Sequence, residues 1–211
     1  MKRIVILISG RGSNMQAVLD AGLDATVAAV ISNNPTARGL ELARSRGVQT
    51  AVVNHREYPD RASFDQVLGD TIASFKPDLI VLAGFMRILT QAFIERFKGC
   101  IMNIHPSLLP AFPGLDTHGR AIAEGVRLHG CSVHFVTPDL DHGPIILQAA
   151  VPVMPGDTEE TLAGRVLEQE HKAYPQAIRW FLEGRLAIER GRVTIAADCR
   201  YPAPIISPQP A

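Results

Sequence analysis

Short apolar runs and amphipathic stretches alternate along the first half of the chain. The apolar runs are continuous and mostly β-branched, which is typical of strands buried on both faces of a sheet. They cover residues 3–8, 27–32, 48–53, 79–83 and 100–105. The stretches between them carry apolar residues at helical spacing, most clearly over 62–75. Because strands that alternate with helices form βαβ units, the pattern predicts an α/β fold: a Rossmann-like, mostly parallel twisted sheet with helices on both faces.

The second half of the chain departs from this alternation. Two successive apolar runs, 131–136 and 145–153, are joined by a turn-rich loop, so we expect an antiparallel addition to the sheet near the C-terminus. A long helix with Asp157 or Thr158 as its cap then runs to Leu182. A short terminal hairpin is predicted after this helix.

A glycine-rich turn, residues 9–14 (SGRGSN), separates the first strand from the first helix. The backbone N–H groups at such a helix start attract anions. The turn begins like the dinucleotide-binding G-x-G-x-x-G, but Met15 occupies the position of the third glycine. No acidic residue lies between Asp24 and Glu41, where a ribose contact is expected. The turn therefore favours a monophosphate site over an NAD site, with an ordinary tight turn as the alternative.

The fifth apolar run ends in two polar residues, Asn103 and His105. Residues two apart on a strand point to the same face, so these side chains should project together. Pro106 lacks an N–H group and ends the strand pairing. Such a pair at the carboxyl end of a buried strand is where α/β proteins place reacting groups. The alternative is a hydrogen-bonded core histidine beside a capping asparagine.

Asp141 lies in the loop after the next strand, which should neighbour the fifth. A carboxylate beside an imidazole favours the imidazolium and fixes its orientation. Asn103 and a protonated His105 could then donate two hydrogen bonds to one oxygen, as an oxyanion site does. No Ser or Cys nucleophile stands beside the histidine in sequence. The attacking group is therefore expected to come from a second substrate, which indicates acyl transfer between two bound molecules.

Composition narrows the class of protein further. The 211 residues suit one domain over 1–200, followed by a Pro-rich tail over 201–211 that we expect to be partly disordered. The 21 basic and 21 acidic residues cancel, which argues against nucleic-acid and membrane-surface partners. The three cysteines are widely spaced, so neither a disulfide framework nor a zinc site is indicated. With no signal peptide or membrane span predicted, a cytoplasmic location is expected.

Six segments carry a resemblance to a known family. They are ISGRGSN at 8–14, LAGFMRIL at 82–89, NIHPSLLP at 103–110, SVHFV at 132–136, D-x-G-P at 141–144 and QEH at 169–171. Together they resemble the phosphoribosylglycinamide formyltransferases, folate-dependent enzymes of de novo purine synthesis. The resemblance implies that the amine of glycinamide ribonucleotide attacks the formyl group of 10-formyltetrahydrofolate, a co-substrate, with no metal. A homodimer is compatible with the sequence, which does not settle the oligomeric state.

The resemblance also implies a role for each matched residue. Asn103 and protonated His105 steady the oxyanion, His105 donates the proton, and Asp141 favours its protonated form and organises a water. The implied ribonucleotide-binding residues are Gly12, Ser13, Asn14 and Glu170. The implied folate-binding residues are Arg61, Met86, Arg87, Ile88, Leu89, Asn103, Val136 and Asp141. One departure from the family pattern is His142, where a small residue is expected.

Three other functions remain to be weighed. A formyltetrahydrofolate deformylase would use a similar Asn, His and Asp set with water as acceptor, but usually carries an extra N-terminal regulatory domain. A methionyl-tRNA formyltransferase would need a basic C-terminal tRNA-binding domain. A non-catalytic nucleotide-binding regulator would not need Asn103, His105 and Asp141 in one crevice.

Overall fold

The computed structural model describes residues 1–196 and 205–208. Within them, seven strands form one sheet in the order β3-β2-β1-β4-β5-β6-β7, and β8 and β9 form a separate hairpin. The strands are β1 Lys2–Ile8, β2 Ala25–Ser32, β3 Thr50–Val52, β4 Leu79–Leu82, β5 Ile101–His105, β6 Leu128–Phe135, β7 Ile145–Pro152, β8 Leu186–Glu189 and β9 Arg192–Ile195. Of the predicted tail, only 205–208 lies inside the described residues.

Six α-helices connect these strands in the described ranges. They are α1 Ser13–Asp20, α2 Arg38–Ser45, α3 Arg61–Ser74, α4 Gln91–Arg96, α5 Thr117–Ala123 and α6 Glu159–Leu182, with a short 3₁₀ helix at His55–Glu57. Thr158 caps α6, as the sequence predicts, and its hydroxyl accepts from the Thr161 N–H. None of these helices is long and apolar enough to cross a membrane.

The pairing of the strands confirms a mostly parallel sheet with an antiparallel addition. Strands β1 to β5 pair in parallel, whereas β6 is antiparallel to both β5 and β7. Strand β6 begins at Leu128, three residues before the predicted start. The apolar pattern missed this beginning because His129 and Gly130 interrupt it, although both are buried.

The core lies on both faces of the sheet, because alternate residues of β1 enter different clusters. Ile4, Ile6 and Ile8 pack under α1, α2 and α6, whereas Val5 and Leu7 pack under α3 and α4. Complete burial of each of these side chains contributes about 1.5–3 kcal/mol. This two-sided burial accounts for the continuous apolar run that the sequence shows in place of alternation.

Strand order reverses between β1 and its neighbour β4. Loops after the two strands run in opposite directions from such a switch point and leave a crevice at the carboxyl edge of the sheet. Buried Tyr174 of α6 contacts both β4 and β5, with its hydroxyl 2.9 Å from the Leu82 carbonyl and 2.8 Å from that of Met102. The fold therefore opens a crevice where the polar segments of the sequence converge.

Candidate active site

A cavity of about 680 Å³ occupies the crevice at the carboxyl edge of the sheet. Its walls include the start of α1, the stretch after β4, the end of β5, the loop that leads into α5, the loop after β6 and the middle of α6. Asn103, His105 and Asp141 all line it. Residues 38 positions apart in sequence thus face one space, as the placement of Asp141 after the neighbouring strand predicted.

His105 meets Asp141 through one ring nitrogen only. Its Nδ1 lies 3.5 Å from Asp141 Oδ2, and both side chains are only 8% exposed. Its Nε2 lies 2.9 Å from the carbonyl oxygen of Phe112, so it carries a proton and donates to that oxygen. Nδ1 is therefore the nitrogen on the Asp141 side, and it bears a proton only in the imidazolium form.

His134 is a site residue to which the sequence analysis assigned no role. Its Nδ1 donates to the Phe135 carbonyl at 3.0 Å, and burial lowers its pKa, which favours the neutral ring. Its Nε2 therefore accepts from Asn103 Nδ2 at 3.2 Å. This bond fixes which end of the Asn103 amide carries the donors and leaves the second N–H of Nδ2 available.

The antiparallel register of β5 and β6 explains how His134 reaches Asn103, because these two residues are directly paired. From the sequence of β6 alone, His134 is one polar residue of an alternating strand. The signal that could have identified it was its position two residues before the loop that carries Asp141, whose Oδ1 lies 3.9 Å from His134 Nε2.

A backbone N–H of the loop after β5 holds the carboxylate of Asp141, which lies in the loop after β6. Asp141 itself takes a positive φ of 55°. Its Oδ2 accepts from the Gly114 N–H at 2.8 Å, which ties this loop to the one after β5. His142, the departure from the family pattern, is exposed and has its Nδ1 2.7 Å from the Leu140 carbonyl.

Gly143 is required by a close approach of two backbone segments. A Cβ at this position would lie 1.7 Å from the carbonyl oxygen of Phe135. We therefore expect Gly143→Ala to displace the loop and the Asp141 carboxylate, with about 1–3 kcal/mol of destabilisation from overpacking. Turnover should fall at least ~10-fold, as positioning losses commonly do. Urea unfolding and steady-state kinetics test this, and wild-type values for both would contradict it.

The phosphate turn, residues 9–14, leads into α1 through Gly12. Gly12 takes φ +81° at the N-cap of α1, and a Cβ there would lie 3.0 Å from the Gly39 Cα at the start of α2. A glycine at this position leaves the turn's N–H groups accessible to an anion at the helix start. Ser13 begins α1 beside it.

Asn14 connects the phosphate turn to α6. Its Nδ2 donates to Glu170 Oε2 at 2.7 Å, and both residues line the cavity. Burial raises the pKa of Glu170, and the Asn14 hydrogen bond opposes that effect. Two residues predicted from separate motifs, 156 positions apart, therefore form one wall.

The predicted folate stretch, residues 86–89, also lines the cavity, together with Val136. Met86 and Ile88 are 66% and 52% exposed, whereas Leu89 is buried. The Arg87 guanidinium lies 5.2 Å above the Phe64 ring. Arg61 is exposed in the first turn of α3 and is not among the lining residues.

Two histidines, half-buried His118 and buried His129, contact each other near the loop that follows β5. His129 Nε2 lies 3.2 Å from His118 Nδ1, and His118 lines the cavity. Burial, together with the His118 charge, lowers the pKa of His129 to about 4. The unfolded chain binds this proton below about pH 6.5, whereas the native chain does not until about pH 4.

Native stability should therefore fall as the pH drops from 6.5 towards 4. Between pH 7 and pH 5, His129 should account for about 2 kcal/mol of the loss. The variant His129→Gln lacks this titration, so its free energy of unfolding should decline less over the same interval. Urea unfolding at both pH values measures the difference, and equal declines in the two proteins would contradict it.

Comparison with known proteins supplies independent information on the whole chain. Residues 2–178 match the family described as formyl transferase. The chain is 51% identical over 187 residues to phosphoribosylglycinamide formyltransferase of Escherichia coli (strain K12), covering 87% of this chain and 88% of that protein. It is 46% identical over 193 residues to the Haemophilus influenzae protein of the same name, covering 90% and 91%.

Solved structures agree with the sequence matches. The crystal structure of glycinamide ribonucleotide transformylase 1 from Symbiobacterium toebii superposes with a TM-score of 0.90 and 50% identity. The superposition covers 92% of this chain and 94% of that one. The architecture is therefore shared over nearly the full length of both chains.

Proposed function

We propose that this chain, which belongs to the formyl transferase family, is a phosphoribosylglycinamide formyltransferase. It transfers the formyl group of 10-formyltetrahydrofolate to the amine of N1-(5-phospho-D-ribosyl)glycinamide. The products are formylglycinamide ribonucleotide and tetrahydrofolate, in de novo purine synthesis. The observation that carries the proposal is one cavity lined by Asn103, His105 and Asp141 together with Asn14 of the phosphate turn and the folate stretch.

The amine nitrogen attacks the formyl carbon, and the formyl oxygen takes up the negative charge. The free N–H of Asn103 Nδ2 and the protonated Nδ1 of His105 donate to this oxygen, which lowers the energy of the tetrahedral intermediate. The bond from carbon to the folate nitrogen then breaks, and that nitrogen receives a proton as it leaves. His105 supplies the proton, and the attacking amine gives one up.

Asp141 has two tasks in this scheme. Its negative charge, 3.5 Å from His105 Nδ1, attracts the positive charge of the ring that donates. Asp141 also lines the cavity, so its carboxylate can accept from a water there that carries a proton from the attacking amine towards the leaving nitrogen. His134 contributes by orienting the Asn103 amide, and is a positioning residue.

We assign the ribonucleotide and the folate to different residues of the cavity. We assign the phosphate to the N–H groups of Gly12, Ser13 and Asn14, where the helix start supplies positive potential. Glu170 is assigned to the ribose hydroxyls, because a carboxylate can accept hydrogen bonds from them. The pterin is assigned to the folate stretch, Asn103, Val136 and Asp141, with Arg61 at the outer part of the folate.

An assay with both substrates tests the proposal. Formylglycinamide ribonucleotide and tetrahydrofolate should form in equal amounts, without ATP and in the presence of EDTA. Omission of glycinamide ribonucleotide should abolish turnover. No product with both substrates would overturn the proposal, and formate release at an undiminished rate without the ribonucleotide would indicate a deformylase instead.

We place this reaction in the cytoplasm. Cys100 and Cys131 are free thiols in the structure, which fits a reducing compartment. Neither substrate requires a membrane or a nucleic acid, and the balanced charge of the chain supports small-molecule partners.

A further inference from the structure

Ser9 joins three loops at the carboxyl edge of the sheet. Its N–H donates to the Gly84 carbonyl at 3.1 Å. Its hydroxyl accepts from the Met86 N–H at 2.8 Å and donates to Asn33 Oδ1 at 2.5 Å. The first residue of the phosphate turn therefore holds the first residue of the folate stretch.

The direction of these bonds is set by the Met86 N–H, which can only donate. The Ser9 hydroxyl proton is then available to Oδ1 of Asn33, which is only 4% exposed. Asn33 is held in turn by His55, because its backbone carbonyl accepts from the His55 N–H at 3.3 Å and lies 2.8 Å from His55 Nδ1.

The folate stretch has few other constraints at this end. Met86 and Ile88 are largely exposed, so burial does not hold their backbone in place. The far end is fixed separately, because the Thr90 N–H donates to Asp65 Oδ2 at 2.6 Å. Among the described residues, the Met86 N–H has its side-chain acceptor in Ser9 alone.

We propose that the Ser9 hydroxyl is a positioning group that fixes the folate stretch relative to the phosphate turn. The inference rests on the proposed function, since it concerns the peptide groups assigned to the pterin. The Ser9 hydroxyl holds the Met86 end of these groups against the phosphate turn, so its loss should weaken folate binding more than it disturbs the reacting side chains.

Ser9→Ala leaves both the Met86 N–H and Asn33 Oδ1 without their partner. The backbone bond from Ser9 to Gly84 remains, so the fold should persist. We expect the KM for 10-formyltetrahydrofolate to rise ~10-fold, the usual scale for a lost buried hydrogen bond. The KM for glycinamide ribonucleotide and kcat should each change less than ~3-fold, because the phosphate N–H groups and the reacting side chains are untouched.

Two further variants separate positioning from general damage. Ser9→Thr keeps the hydroxyl and should restore the folate KM to within ~3-fold of wild type. Ser32→Ala is the matched control: it removes a buried hydroxyl at the end of the neighbouring strand β2, whose two partners are both in Asn34. Its folate KM should stay at the wild-type value, whatever its melting temperature.

The outcomes distinguish this inference from the proposed function. If the wild type binds tetrahydrofolate in calorimetry and turns over both substrates, but Ser9→Ala keeps the wild-type folate KM, the positioning role is wrong and the function stands. Equal KM increases in Ser9→Ala and Ser32→Ala would also overturn the positioning role. If the wild type neither binds tetrahydrofolate nor forms product, the proposed function itself has failed.

Discussion

His105→Ala is expected to lower kcat by at least ~10²-fold, the usual scale for a general acid or an oxyanion donor. The variant removes the Nδ1 proton that faces Asp141 and leaves only Asn103 to stabilise the oxyanion. The KM values should change little, because the residues assigned to phosphate and pterin binding are elsewhere in the cavity. The loss should therefore appear in kcat and kcat/KM alike, as for an interaction made in the transition state.

Steady-state kinetics with each substrate varied in turn measures this effect. His142→Ala is the control: it removes an exposed imidazole in the loop that carries Asp141 and should keep kcat within ~2-fold of wild type. A near-normal kcat for His105→Ala would remove this histidine from the mechanism. Melting temperatures of both variants show whether a decrease in kcat is caused by unfolding of the variant.

Asp141→Asn is expected to reduce kcat by at least ~10²-fold while preserving the shape of the side chain. An amide oxygen can still accept from the Gly114 N–H, so the loop should keep its course. The amide carries no negative charge, so it no longer attracts the positive charge that His105 carries when it donates to the oxyanion.

Steady-state kinetics with both substrates measures this loss. Asp139→Asn makes the same chemical change two residues away, at an exposed position of the same loop, and should keep the wild-type kcat. A wild-type rate for Asp141→Asn would refute its role. Equal losses in the two variants would assign the effect to the loop and not to the Asp141 charge.

The strands and helices that shape the crevice could be predicted because local patterns determine them. Burial on both faces produces the continuous apolar run of β1, and a helix cap with a long amphipathic stretch marks α6. The antiparallel pairing of β6 and β7 followed from the short, turn-rich loop between two apolar runs. The start of β6 was wrong by three residues because His129 and Gly130 are buried by tertiary packing, which hydropathy along the chain does not register.

The positions of candidate site residues could be predicted where polar residues lie close together in one short motif. Asn103 and His105 are two residues apart on one strand, so their common face follows from strand geometry. The prediction that Asp141 lies near them required only that two consecutive strands be neighbours in the sheet. Their meeting in one cavity is therefore a consequence of sheet topology that the sequence already indicates.

The remaining site contacts depend on register and on approach between distant segments. His134 reaches Asn103 only because β5 and β6 pair at these two residues. Gly143 faces the Phe135 carbonyl, and the Ser9 hydroxyl reaches Met86, 77 positions away. No local pattern specifies any of these distances. The sequence therefore predicts the proposed reacting residues, whereas the residues that support them are identified only from the structure.

The most direct test is a crystal structure of the protein with glycinamide ribonucleotide and tetrahydrofolate bound together. The account predicts the phosphate on the N–H groups of residues 12–14, the pterin against residues 86–89, and the glycinamide amine beside His105 Nδ1. A phosphate bound elsewhere, or an amine separated from His105 by the wall of the cavity, would contradict it.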